Sequence, residues 1–132
     1  MGFVVLARVN ELFNFPTVGL VASVKKLKER PDEIKRVIKA GIKAYRYIRQ
    51  NREDTIQFMT EWLKIGKEMA TASYESVLTV VNEDGSLPED GLRLVVEEAK
   101  KAAKVNRNVS LNEVADLLIL REAQRELGIT AR

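Results

Sequence analysis

Gly2-Phe3-Val4-Val5-Leu6-Ala7 and, beyond Asn14-Phe15-Pro16, Thr17-Val18-Gly19-Leu20-Val21-Ala22-Ser23 are the two passages on which the fold class turns. Both are short, β-branched and apolar, and they predict strands over about 3–9 and 17–23. Pro16 breaks any helix between them and biases Phe15 toward an extended backbone. Neither run alternates cleanly, as befits strands covered on both faces. Two strands cannot make a buried sheet alone, because an isolated hairpin is marginal in water. The chain is therefore expected to present them to a larger sheet.

From residue 24 to about 128 the pattern is helical. Ser23 is a plausible N-cap for a short turn through Lys28. Pro31 suits the first position of a long helix, with Asp32 and Glu33 placed where negative charge favours the dipole. Its apolar positions are Ile34, Val37, Ile38, Gly41, Ile42, Tyr45 and Ile48. Asn51 is positioned to cap a helix burying Ile56, Met59, Trp62 and Leu63, which Gly66 would end. Met69, Ala70, Tyr74, Val77, Leu78 and Val81 then share one face of a fourth segment. Asn82-Glu83-Asp84-Gly85 reads as a loop. Ser86-Leu87-Pro88-Glu89 and Ser110-Leu111-Asn112-Glu113 both match a capping box. The first precedes Leu92, Val95, Val96, Ala99 and Ala103; the second precedes Val114, Leu117, Leu118 and Leu127, with Gly128 as the stop. The expectation is one domain over 1–132: α+β, mostly helical, two N-terminal strands followed by about five helices.

Chemistry is constrained by what the sequence omits. Its 132 residues contain no histidine and no cysteine. That excludes Ser-His-Asp and Cys-His catalysis, imidazole or thiolate metal sites, and disulfides. Acid–base work would fall to Asp, Glu, Lys or Tyr, so no catalytic residue, metal or cofactor is expected and the chain is read as a non-enzyme. The N-terminus lacks the basic region, long apolar run and cleavage site of a signal peptide. No run approaches the roughly 20 apolar residues of a membrane span, so membrane insertion is not expected.

A net charge of +3 conceals an asymmetry. Residues 25–52 hold eleven basic and three acidic side chains, or +8, and the other eleven basic and sixteen acidic residues amount to −5. Lys35, Lys39, Lys43 and Arg46 could meet phosphates. Without interleaved aromatics or a nucleic-acid module signature, a solvated helix face is the better reading, and no nucleic-acid partner is expected.

The strand–proline–strand passage, then Arg30-Pro31-Asp32-Glu33-Ile34-Lys35-Arg36-Val37, Ala44-Tyr45-Arg46-Tyr47-Ile48-Arg49-Gln50-Asn51 and Val114-Ala115-Asp116-Leu117-Leu118 to Gly128 form an ordered set. In that order they resemble the C-terminal part of solute-binding proteins of ABC importers, in the nitrate/sulfonate/taurine and pyrimidine-precursor group. The resemblance covers about Phe3 to Gly128. It implies the closing segment of a periplasmic-binding-protein-like, Venus-flytrap α/β fold, without the first half that supplies most of the ligand cleft. It also implies a small anionic or heterocyclic solute and an ABC permease as partners, and a periplasmic or otherwise extracytoplasmic location. A natural start at Met1 without a signal peptide implies the cytoplasm instead. One enzymatic branch of the family uses a histidine of its own chain, which this sequence cannot supply.

In such a protein Phe13 to Val18 would lie near the crossing between lobes. Asn14, Phe15 and Thr17 are thus the candidate ligand-binding residues, offering an amide, an aromatic face and a hydroxyl. Packing of Phe15 and simple turn closure by Asn14 is the bland alternative. Trp62, Tyr45 and Tyr74 could line a pocket but fit core positions better. Asn82-Glu83-Asp84-Gly85-Ser86 lacks the ligand alternation of a calcium loop. Glu97 and Glu98 diverge by about 100° on a helix and cannot act as a pair. A reading of a different class is a standalone oligomeric structural or interaction protein, in which the unpartnered strands make a homodimer by edge pairing or arm exchange.

Overall fold

The computed structural model describes Val4, Leu6, Ala7, Pro16 and residues 18–130. Among the described residues seven helices follow in order: α1 (Val24–Glu29), α2 (Pro31–Gln50), α3 (Arg52–Leu63), α4 (Lys67–Leu78), α5 (Glu89–Ala103), α6 (Leu111–Val114) and α7 (Leu118–Glu126). Every regular element among the described residues is a helix, which corrects the expected α+β fold, its two N-terminal strands and its flytrap α/β lobe.

The reason lies in the arm that precedes α1. Val18, Leu20 and Val21 are 87, 70 and 96% exposed, and no backbone hydrogen bond ties 18–22 to another described residue. A β-branched apolar run measures fitness for burial on a pleated surface. It becomes a strand only where a neighbouring strand supplies the ladder. Of the 3–9 run, Val4, Leu6 and Ala7 are described; none is in a strand, and all three are exposed.

Local chemistry sets most helix starts. The Ser23 hydroxyl accepts from the Lys26 amide at 3.2 Å and opens α1. Pro31 begins α2, with Asp32 and Glu33 in its first turn. At Ser110 the capping box is complete: the Ser110 amide donates to Glu113 Oε1 at 2.8 Å. Its helix lasts only four residues, however, and a break at 115–117 separates it from α7, where Asp116 Oδ1 accepts from the Leu118 amide at 3.0 Å. The Ser86 box does not form. The backbone of Pro88 is extended, α5 starts after it, and the Ser86 amide donates instead to Asp84 Oδ1 at 2.9 Å while Glu89 pairs with Arg93.

Two ends also differ from expectation. Lys64, left-handed at φ 56°, closes α3, and Gly66 opens α4. The Asn51 side chain turns back, its Nδ2 donating to the Tyr47 carbonyl at 2.9 Å, so it secures the end of α2 and gives α3 no side-chain cap.

α2 is the central element. The α3–α4 hairpin meets it at one end and α7 lies along one side. Ile56 (1% exposed), Ala70 and Tyr74 form the hairpin core, with Ile48, Met59, Ile65 and Leu78 against it. Burying a side chain such as Ile56 contributes roughly 1.5–3 kcal/mol. Trp62, expected in this core, is 71% exposed; Leu63, Met69 and Val77 are also substantially exposed. Only Ile42 of the long α2 stripe is fully buried.

Candidate functional site

The expected ligand residues Asn14, Phe15 and Thr17 lie outside the described residues. Their neighbour Pro16 is half-buried. The described residues must therefore be searched for a site on their own terms.

The densest polar cluster is the seam between α2 and α7. Lys35 Nζ lies 3.0 Å from Glu126, 3.4 Å from Glu122 and 3.5 Å from Asp32. Lys39 donates to the other oxygen of Glu126. Positions 35 and 39 are one turn apart, as are 122 and 126, so two short ladders of opposite sign face each other. Hydrogen bonds from Lys39 and Lys35 hold the Glu126 carboxyl below its ordinary range, and the Glu126 hydrogen bond raises the Lys35 ammonium. Charges paired in this way hold the seam together.

Beneath the ions the seam is apolar and closely fitted. Gly85, at φ +73°, approaches so near that a Cβ there would sit 3.3 Å from Leu120 Cδ1 and 3.4 Å from Ile42 Cγ1. Ala123 is wholly buried, and the side chain of Gln124 donates to the Asp84 carbonyl at 2.8 Å. Arg49 extends the contact, with Nε 3.5 Å from Glu83 and a guanidinium NH2 3.4 Å from the Leu78 carbonyl. The 82–85 loop expected from the sequence is thus a wedge between α2 and α7.

On the other flank, Tyr74 donates to the Ile48 carbonyl at 3.0 Å, and Arg52 stands over its ring while pairing with Glu53 and Glu75. Tyr47 donates to Asp54 at 3.2 Å, which raises its phenol above the usual value. Among the described residues, none of the three aromatics Tyr45, Trp62 and Tyr74 lines a pocket. Tyr74 is core; Tyr45 and Trp62 face water.

No group of three or more Asp or Glu side chains poised for a metal occurs among the described residues. Shallow hollows occur among the described residues. One of about 260 Å³ is lined by Ser23, Lys25, Lys26, Glu29 and Arg30, and another of about 410 Å³ lies beside Leu118, Arg121, Arg125 and Ile129. Both are open, and neither gathers the enclosed apolar walls and few convergent polar groups of a small-molecule site.

What the described surface does offer is apolar area. Val18, Leu20, Val21 and Val24 stand in water ahead of α2. On α3, Phe58 and Trp62 stack on each other at 6.0 Å between centroids and 16° between planes, both exposed. Phe58 was not singled out from the sequence. The signal was present, since positions 58 and 62 lie one turn apart on the side of α3 opposite Ile56. The candidate site is accordingly this exposed apolar surface. No family model, no curated protein and no solved structure matches this chain. No described helix is long and apolar enough to cross a membrane.

Proposed function

We propose that this chain belongs to the solute-capture component of an ABC importer, serving a small anion or heterocycle and performing no covalent chemistry. The ordered resemblance from the proline-centred passage to the closing helix supports this reading. The observation that carries it is the arm at 18–24, whose Val18, Leu20, Val21 and Val24 are exposed ahead of the long helix α2. Such an arm is suited to burial against further polypeptide. In this reading the helices form an outer support, and the permease and solute are the partners. Solute uptake would then act by favouring one of two conformations.

A second reading, a self-associating interaction protein without solute binding, is favoured by the same arm. The intramolecular seams leave it uncovered, and a second copy would cover it.

A thermal-shift screen against nitrate, sulfonates, bicarbonate and aminopyrimidines tests the first reading. A solute at a hundred times its dissociation constant stabilises by about 2.7 kcal/mol. A response to one class supports solute capture by this chain. Flat melting across all four, with a well-folded sample, counts heavily against solute capture by this chain and favours self-association.

A further inference from the structure

We propose that the arm Val18–Val21 of one copy seats on the uncharged side of α2 in a second copy, and reciprocally. The proposal rests on the self-association reading above and names the surface that receives the arm. At 100° per residue, the side of α2 turned away from Lys35, Lys39 and α7 carries Val37, Ala40, Gly41, Ala44 and Tyr45 and no charged residue between Ile34 and Ile48. Val37, Ala40, Ala44 and Tyr45 are exposed. At Gly41 a Cβ would meet nothing within 4 Å, although glycine inside a helix is a destabilising choice. Close approach of another backbone would account for it.

Polarity and length agree. The arm from Val18 to Ser23 is also free of charge, so apolar meets apolar with no ion stranded between. This open stretch lies between α1, which packs on α2, and the hairpin, whose core includes Ile48. Val37 to Tyr45 is about 12 Å along the helix, and Val18 to Val21 in an extended chain is about 10 Å. The arm of the same copy does not occupy the seat, since Val18, Leu20 and Val21 are in water.

The area is comparable with what a specific interface needs. Burial of an aliphatic side chain removes roughly 60–120 Å² from water, so Val18, Leu20 and Val21 supply about 180–360 Å² per arm. Two arms and two seats give on the order of 700–1,400 Å², which brackets the roughly 1,000 Å² that a specific interface needs. A reversible twofold dimer is the expected product.

Sedimentation or light scattering of the full chain, up to roughly 300 µM, tests the proposal. The expected result is a doubling of mass with concentration, lost in Val21→Asp and weakened at least tenfold in Val37→Lys and Gly41→Leu. Gly41→Leu is the decisive variant, because leucine favours helix and its Cβ meets nothing within 4 Å in the single copy, so its helicity should not fall. A dimer lost in Val21→Asp but unaffected by Val37→Lys and Gly41→Leu overturns the seat and leaves the arm as the contact. A dimer indifferent to all three overturns the arm as well. A single-copy protein throughout the range overturns self-association itself.

Discussion

The side-chain amide of Gln124 donates to the backbone carbonyl of Asp84 across forty residues of sequence, at 2.8 Å. Gln124 is 8% exposed and sits on α7, whereas Asp84 belongs to the loop between α4 and α5. The bond pins that loop to the C-terminal helix where Ala123 is fully buried. Gln124→Leu keeps the volume but leaves the carbonyl without this donor. The expected loss is about 1–3 kcal/mol, read as a lower urea midpoint at unchanged slope.

Gly85 occupies a left-handed backbone conformation and faces Leu120 and Ile42. Gly85→Ala adds both conformational strain, about 1–2 kcal/mol, and a Cβ at a 3.3 Å approach. A clear fall in melting temperature is expected. Gly41→Ala, in open space within α2, should instead raise stability by up to about 1 kcal/mol. Equal effects at the two glycines would contradict the wedge described for residues 82–85.

The α2–α7 seam makes stability depend on pH in a definite direction. The folded-state value of Glu126 is depressed, chiefly by the Lys39 hydrogen bond. Its contribution is therefore present above the ordinary value of 4.5 and lost as pH falls through the lower folded value. Lys35, raised by Glu126, contributes below its ordinary 10.5 and loses that contribution as pH climbs through the higher folded value. Denaturant melts from acid to alkaline pH should show a plateau between these limits, and Glu126→Gln should flatten the acid limb. Salt near 1 M should weaken the seam, because these ions are partly exposed.

Ile56→Ala should cost about 2–5 kcal/mol by leaving a cavity against Ala70 and Tyr74. Trp62→Ala should change stability by no more than about 0.5 kcal/mol, since the ring stands in water. Parallel thermal melts distinguish the two. A large loss for Trp62→Ala would mean that its face is covered in solution.

Sequence reading succeeded where a short-range hydrogen bond decides. Ser23 and Ser110 start helices through such bonds, and Pro31 does so through its fixed φ. It failed at Ser86, where Pro88 and Asp84 divert the same residue types to another use. Apolar spacing located Ile42, Ile56, Ala70 and Tyr74 correctly but could not rank positions on α2, whose apolar residues cover more than one side. The expected strands misled for a long-range reason: Val18, Leu20 and Val21 are suited to burial, yet a ladder depends on a neighbour that local composition does not specify. The candidate ligand residues fall outside the described residues, and the surface pair Phe58–Trp62 was legible only as a helical offset from Ile56.

The placement of α2 has a consequence for cooperativity. α7 and the hairpin each rest on it, one through Lys35 and Lys39 and the other through the carbonyl of Ile48. Either flank can open first, but α2 cannot lose its turns without releasing both. Amide protons in its middle, around Ile42, should consequently exchange with solvent most slowly, at a rate reporting dissolution of the whole molecule.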